Sequence, residues 1–511
     1  MKDIRKIRRP GWAGAAARGL TAAAVGMGAA ELAAGALGRP GSAPVLAVGA
    51  GFVDLTPVWL KDVAIRRFGS DDKTVLLLGL AAGIAVIAAA IGSLSRFRAR
   101  RGLAGLAVLG AVGVLAALTR PTAEPWDALP SVVGTAAGMA ALVLLTRTAN
   151  PATGPDAAAR RRVLLTGAGL TVAAVAAGAA GRLLARRGDV AGVRAGLRLP
   201  PPRGSARPVP DGAQVRAPGM PSFTTSNADF YRVDTALTLP QVDPRDWTLR
   251  IHGLVARPVE LSFADLLGLP LVERDITLAC VSNQVGGDLA GNARWLGAPL
   301  AGLLRRAGVR AGADQILSRG ADGMTLSTPL AAVLDGRDAL VAVGMNGEPL
   351  PVAHGFPARL VVPGLYGYVS ATKWVVDLKV TRFATDRAYW TRRGYAERAP
   401  VKTFSRIDVP RPFARVRAGR VVVAGTAWAQ HRGVVAVEWQ VDDGPWRAAQ
   451  LAPVPGPDTW RQWAAEWDAA PGSHTLRVRA ADGTGRTQPA HRAPPFPDGA
   501  TGRHSVVVTV V

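Results

Sequence analysis

Met345-Asn-Gly-Glu-Pro-Leu-Pro-Val-Ala-His354-Gly-Phe-Pro-Ala-Arg359-Leu-Val-Val-Pro-Gly364 is a stretch of twenty residues in which turn formers crowd around one histidine and one arginine. Glycine and proline at this density break any helix and force a tightly turned loop. Leu360-Val361-Val362 ahead of Pro363 reads as a short buried strand that the loop feeds. An arginine fork and an imidazole held this close together suit a phosphate or another polyanion. A buried histidine satisfied by its neighbours accounts equally well for His354 alone.

Upstream, Asp275 to Ala279 reads as a short strand leading into Cys280, within Thr277-Leu-Ala-Cys280-Val-Ser-Asn283. This is the single cysteine of 511 residues, so the chain has no intrachain disulfide and no cysteine-ligated iron–sulfur cluster or structural zinc. Three readings of Cys280 stand side by side: a small buried hydrophobe, a nucleophile in need of a base, and a soft thiolate ligand for a transition metal.

The rest of the chain divides by texture. Hydrophobic residues make up 49%, and they concentrate in residues 1 to 190 as Ala/Gly/Val/Leu runs. Segments near 17–37, 74–95, 102–119, 129–147 and 163–181 are long and apolar enough to span a bilayer. A further stretch, 44–60, is interrupted by Asp54 and Pro57. Basic residues at Lys2, Arg5, Lys6, Arg8 and Arg9, at 96–101 and at 160–162 mark cytoplasmic ends, and the 120–128 loop with Glu124 and Asp127 marks an external one. These agree when 44–60 does not cross, which leaves the remainder of the chain extracytoplasmic. Arg160-Arg161-Arg162 ahead of an apolar run also has the form of a twin-arginine export signal. Glu31 and Asp54 are acids in or near apolar segments. None of the six histidines lies in residues 1 to 190, which excludes a bis-histidine haem there. The net charge of +24 is scattered rather than gathered on a basic helix, and nucleic acid is not expected as a partner.

The fold class is therefore α+β. A transmembrane helical domain is expected over 1–188, a Pro/Gly/Arg-rich linker over 189–222, a mixed α+β domain over 223–398, and a β-sandwich of immunoglobulin-like pattern over 399–511. In the last, Arg420–Thr426, Val434–Val441, His474–Arg479 and Ser505–Val511 alternate like strands, and Asp442-Asp443-Gly444-Pro445 marks a turn.

From about 223 to 511 the sequence resembles the sulfite-oxidase type of molybdopterin-dependent oxidoreductases. Met345–Gly364 is similar to the pterin-binding segment of sulfite oxidases and nitrate reductases. Thr277–Asn283 resembles their molybdenum-ligand motif, Ala293-Arg294-Trp295 with Gly297 the segment after it, and Trp390-Thr-Arg-Arg-Gly-Tyr395 the exit from that domain. Thr426-Ala-Trp428 with Trp460 and Trp463 resembles a dimerisation domain, which implies a homodimer. The resemblance implies molybdenum and molybdopterin as cofactor, with Cys280 as the metal ligand. It implies cofactor contacts from Phe230, Tyr231, Asn283, Asp322, His354, Arg359, Ser370 and Lys373. It places Arg232 and Tyr389 with Cys280 on the catalytic side. The substrate positions depart from sulfite oxidases: Gln284 follows Asn283 where they have an arginine, and their substrate arginine and tyrosine fall on Val233 and Arg387. The implied activity is two-electron oxygen-atom transfer on a small molecule, as sulfite-like oxidation or S-/N-oxide reduction. Electrons would pass to a cytochrome or a quinone-linked partner. A membrane-tethered assembly module that keeps the fold without turnover is the rival reading.

Overall fold

A computed structural model describes residues 11–57, 60, 61, 63, 67, 68, 72–149 and 157–511. The basic cluster Lys2–Arg9 and the side chain of Arg160 lie outside the described residues. The chain forms two compact units, Met1–Asp189 with Asp234–Gln241, and Val190–Val233 with Val242–Val511.

The first unit is helical: α1 (Trp12–Ala36), α2 (Pro44–Leu55), α3 (Asp72–Ser95), α4 (Ala99–Leu118), α5 (Leu129–Ala149) and α6 (Ala157–Arg186). Five stretches, Trp12–Ala36, Lys73–Ser95, Ala99–Leu118, Pro125–Thr148 and Arg161–Gly196, are long and apolar enough to cross a membrane. They coincide with the five read from the sequence. At about 1.5 Å per residue, the 12 residues of α2 fall short of a hydrocarbon core of roughly 30 Å.

Helix α1 is the axis of this unit, and glycine makes it so. A Cβ built on Gly19 would stand 2.7 Å from Gly92 Cα in α3, and one on Gly35 would stand 2.9 Å from Gly181 Cα in α6. Only backbones stripped of side chains approach so closely. Gly28 meets Ala174 and Gly35 meets Gly181, so α1 and α6 run parallel. Gly26 meets Gly134 while Ala22 meets Gly138, so α5 runs antiparallel to α1. The Arg96 guanidinium, just past α3, lies 3.8 Å over the Trp12 ring at the start of α1. Helix α3 is thus antiparallel to α1, and the intervening stretch that carries α2 begins and ends at one end of the unit. At that end Arg39 donates to both oxygens of Asp127 (2.6 and 3.0 Å) and pairs with Glu124 at 2.9 Å. Asp234 joins the unit through Lys73, whose Nζ lies 2.6 Å from Asp234 and 2.8 Å from the carbonyl of Ala236. Glu31 of α1 lies within electrostatic reach of Arg182 of α6.

Among the described residues, the second unit holds all the strands. The first ten are β1 (Thr248–Gly253), β2 (Val259–Ser262), β3 (Val272–Ala279), β4 (Ala290–Pro299), β5 (Gln315–Gly320), β6 (Thr325–Pro329), β7 (Leu340–Met345), β8 (Glu348–Pro349), β9 (Arg359–Val361) and β10 (Val375–Thr381). They form two sheets. One has the order β2-β1-β10-β5-β6, with β1 and β10 parallel; the other has β3-β4-β7-β8, with β9 also on β7. All six residues of β7 are buried, as are the last four of β3, so the second sheet ends in the core at Cys280. Ser262 caps the short helix Phe263–Leu267 through a capping box with Asp265, as its sequence suggests.

Residues 190–222 carry little regular structure beyond the helix Ala191–Gly196, yet they are held along this unit. Arg194 donates to the carbonyls of Pro349 (2.7 Å) and Leu350 (2.8 Å), and Val215 N–H donates to Gln462 Oε1 at 2.7 Å.

The C-terminal strands are β11 (Phe404–Val409), β12 (Arg415–Val416), β13 (Gly419–Trp428), β14 (Val434–Val441), β15 (Arg447–Ala448), β16 (Gln450–Leu451), β17 (Arg461–Ala469), β18 (Gly472–Asp482) and β19 (His504–Val510). Sheets β11-β13-β17-β16 and β12-β19-β18-β14-β15 close over one apolar core. Val423, Trp463 and Trp467 enter it from the first sheet, and Trp439, Leu476 and Val508 from the second. Alternation along β18 and β19 puts every second side chain inside.

Candidate cofactor site

Cys280 is the first residue past β3 and is buried. Its N–H donates to Leu289 O at 2.9 Å, its carbonyl accepts from Asn283 N–H at 3.1 Å, and the Ser282 N–H points at Sγ from 3.4 Å. Asn283 ties the loop behind it: its Oδ1 accepts from Leu289 N–H at 2.9 Å. Burial pushes the Cys280 thiol up, while the Ser282 hydrogen bonds and the charge of Lys373 pull it down. A metal that binds here must displace a proton.

The opening stretch of the sequence forms the opposite wall. After β7 the chain turns through Asn346 (φ +52°) and Gly347 (φ +83°), pairs briefly as β8, and makes a single 3₁₀ turn, Val352–His354. Gly355 follows at φ +112°, where a Cβ would stand 3.0 Å from Arg359 Cβ and 3.1 Å from Lys373 Cα. Only glycine lets these segments meet. His354 is 4% exposed; its Nε2 lies 3.1 Å from the Asn227 carbonyl and its ring stands edge-on to Phe230 at 5.6 Å. The other ring nitrogen, Nδ1, is buried with no hydrogen-bond partner among the described residues. With Nε2 donating to a carbonyl, Nδ1 is left as an acceptor.

Arg359 opens β9 and is also 4% exposed. It donates to backbone carbonyls alone, those of His354 (3.0 Å), Ala371 (3.4 Å) and Leu360 (3.4 Å), and lies 5.1 Å over the Trp295 ring. Among the described residues no carboxylate pairs with it. A buried guanidinium without a counter-anion is costly, and burial draws Arg359 down to about 10. Burial, then the charges of Arg359, Lys373 and Arg232, draws His354 down to about 4, so it is neutral at pH 7. Lys373 Nζ donates to Ala353 O at 3.1 Å. Tyr231 stacks on Phe230 at 5.2 Å; burial and a Cys280 thiolate push its phenol up, and Arg359 opposes them. Cys280, Tyr231, Arg232, His354, Arg359 and Lys373 thus form one group in which each lies within electrostatic reach of at least one other.

Three expected residues stand differently. Ser370 is buried and spends its proton on the carbonyls of Tyr366 (3.0 Å) and Leu365 (3.2 Å). Asp322, at the tip of the β5–β6 hairpin, accepts from Met324 N–H at 3.1 Å. Tyr389 N–H donates to Thr325 Oγ1 at 3.1 Å, and Arg393 lies 3.5 Å over its ring. The sequence reading missed Asn227 and Ser282. Both act through backbone atoms, which no residue type signals.

A buried cation and a buried thiol in one group have the chemistry to hold an anionic cofactor beside a soft metal. Residues 236–390 match the oxidoreductase molybdopterin binding domain, a span that contains Cys280, His354, Arg359 and Lys373. The sulfite oxidase of Gallus gallus is 30% identical over 53% of this chain and 69% of its own length. The uncharacterized oxidoreductase YuiH of Bacillus subtilis (strain 168) is 35% identical over 30% of this chain and 74% of its own. The crystal structure of the sulfane dehydrogenase SoxCD from Paracoccus pantotrophus is 25% identical with a TM-score of 0.47, over 56% of this chain and 82% of that one. The chain spans between 50% and 58% of the length of the mitochondrial sulfite oxidases of Drosophila melanogaster, Rattus norvegicus and Homo sapiens. The chain belongs to the sulfite-oxidase-type molybdopterin-dependent oxidoreductases.

Proposed function

We propose that the chain is a membrane-anchored molybdenum oxidoreductase that moves an oxygen atom between water and a small substrate, by sulfite-like oxidation or S-/N-oxide reduction. The observation that carries this is Arg359, a buried cation that no acid pairs with among the described residues, grouped through Tyr231 with the lone buried thiol. A cofactor bearing a phosphate supplies the missing anion, and its ring N–H groups supply a donor for His354 Nδ1, so the residues fit molybdopterin. When bound, molybdenum supplies the two-electron change.

In this reading Cys280 binds the metal as thiolate. Arg359 and Lys373 hold the phosphate, His354 accepts from the pterin, and Phe230 and Tyr231 cover it. Asn283 fixes the ligand loop, and Asp322 and Ser370 shape the far side of the pocket. Arg232 and Tyr389 stand toward substrate. Gln284 and Val233, standing where sulfite oxidases have arginines, thin the positive charge that a sulfite dianion needs, which favours a less charged oxygen donor or acceptor.

The five apolar helices support anchoring in the cell membrane as a multi-pass protein. With the basic N-terminus inside, the up–down order of α1, α3, α4, α5 and α6 leaves the second unit extracytoplasmic. A cytochrome or a quinone-linked protein takes or gives the electrons, and the sandwich, read as immunoglobulin-like, pairs two copies.

The test is elemental and pterin analysis of full-length protein in detergent, followed by a screen of sulfite and S-oxides with a redox dye. About one molybdenum per chain is expected, with activity abolished in Cys280→Ser. Protein that is folded, free of molybdenum and without turnover favours the assembly-module reading instead.

A further inference from the structure

The loop from Cys280 to Leu289 is closed at its ends by the Cys280 N–H, which donates to Leu289 O at 2.9 Å. Inside it, Gly287 N–H donates to Gln284 O at 2.9 Å, and a Cβ on Gly287 would stand 2.5 Å from Asn283 Oδ1. Asn283 in turn is bonded to Leu289 N–H and, through its own N–H, to Cys280 O. A shift of Gly287 therefore carries Asn283 and the ligand with it.

What holds Gly287 comes from the sandwich. Arg406 of β11 donates from Nη1 to the Gly287 carbonyl at 2.8 Å and from Nε to Asp408 Oδ1 at 2.7 Å. Thr426 of β13 donates to the other oxygen of Asp408 at 2.7 Å. The guanidinium lies 5.7 Å over the Trp428 ring and 5.9 Å over the Trp460 ring, and Arg406 is 7% exposed. A planar fork held at two of its edges is a fixed point, not a swinging arm. His504 of β19 adds a second grip. Its Nδ1 accepts from Ile407 N–H at 3.0 Å, and its ring lies where a Cβ on Gly286 (φ +82°) would fall.

The strand that leads into the loop is held by the sandwich as well. Thr277, three residues before Cys280, accepts at its carbonyl from Gln430 Nε2 at 3.0 Å and at Oγ1 from Trp460 N–H at 2.7 Å. Its N–H donates to Asp458 O at 2.9 Å. All of these sandwich groups lie outside the matched span 236–390.

We propose that Arg406 is a positioning residue for the metal ligand: through the Gly287 carbonyl, the sandwich sets the loop that presents Cys280 to the metal. The inference rests on the molybdenum reading above. It gives the sandwich a task besides pairing two copies. Groups that orient a ligand from behind decide how tightly and in what geometry a metal is held.

The experiment uses full-length, molybdenum-loaded protein in detergent. Arg406→Met combined with Asp408→Asn removes the contact to Gly287 and leaves no unpaired carboxylate. Arg406→Lys keeps a cation beside Asp408 without the fork that also reaches Gly287. Arg461→Met is the control, since Arg461 donates to the carbonyls of Ala452 (2.7 Å) and Val434 (2.9 Å), both in the sandwich. Thermal midpoint, molybdenum retained at a fixed temperature and the electron paramagnetic resonance spectrum of Mo(V) are read on each. The double variant should shift the Mo(V) g values and lose molybdenum about 10-fold faster than wild type. Arg461→Met should lower the midpoint and leave the spectrum unchanged. A folded double variant with wild-type spectrum and retention overturns the inference alone; where that variant does not fold, the same result in Arg406→Lys does so. An equal spectral shift in Arg461→Met also overturns it, because the effect then comes from loosening the sandwich in general. Wild-type protein without molybdenum overturns the metal reading and this inference with it.

Discussion

Arg359 donates from Nη1 to the carbonyl oxygen of His354 at 3.0 Å, so the cation and the imidazole of residues 345–364 are fastened through the backbone that separates them. The guanidinium spends its donors on carbonyls and keeps its charge uncompensated. Its worth to the protein therefore depends on what fills the pocket. Arg359→Met should stabilise the cofactor-free protein by roughly 1–3 kcal/mol, since an unpaired buried charge is replaced by an apolar chain. The same change should cut molybdenum content by about 10-fold or more. Chemical unfolding of the cofactor-free form and metal analysis of the purified protein check the two halves. A variant that loads fully removes Arg359 from cofactor binding.

Acid stability should turn on Asp482. Burial alone would raise its pKa, but hydrogen bonds from Thr484, Arg432 and Thr403 overcome that and hold it far below its ordinary value of 3.8. The folded state thus binds its proton less readily than the unfolded chain. The stabilisation is fully present above about pH 4 and is lost as pH falls below it. Arg432→Met leaves a carboxylate that is 3% exposed short of its cation, and should cost roughly 3 kcal/mol at pH 7. Urea titrations at pH 7 and near pH 3 test this, with the deficit expected to shrink at the lower pH.

The helical unit makes a sharper steric prediction. Gly35→Leu places a side chain where the α6 backbone stands, 2.9 Å from Gly181 Cα, with no flexible neighbour to give way. Gly51→Leu, on α2, meets nothing within 4 Å. The first should lower the thermal midpoint in detergent by about 10 °C or abolish folding, with an overpacking cost of 1–3 kcal/mol as a floor. The second should change it by about 1–2 °C at most, in keeping with roughly 0.5 kcal/mol for a surface substitution. Equal effects would mean that α1 is not the axis.

Much of this was legible in the sequence because the signals are local. Apolar runs of bilayer length marked the five long helices, and Gly/Pro punctuation marked the loop of His354 and Arg359. Strands β13, β14, β18 and β19 each enclose or overlap a stretch read from alternation alone. What stayed hidden depends on distant pairing. Nothing local announces that β1 lies parallel to β10, well over a hundred residues on. Residues 189–222 read as a linker from composition, yet Arg194 and Val215 tie this stretch to the rest of the second unit through backbone and amide groups that composition does not encode.

Gly355 and Gly347 separate two effects of the same substitution. Both sit at positive φ, +112° and +83°, so alanine at either is strained by about 1 kcal/mol or more. Around Gly347 a new Cβ meets nothing within 4 Å, whereas at Gly355 it meets Arg359 Cβ at 3.0 Å and Lys373 Cα at 3.1 Å. Gly347→Ala should therefore lower stability and leave cofactor content intact. Gly355→Ala should wedge apart the two residues assigned to the phosphate. Its expected signature is molybdenum content lowered several-fold at a stability loss similar to that of Gly347→Ala, read by metal analysis beside thermal unfolding. Equal metal content in the two variants would mean that the approach of Arg359 to Lys373 does not set the grip on the cofactor.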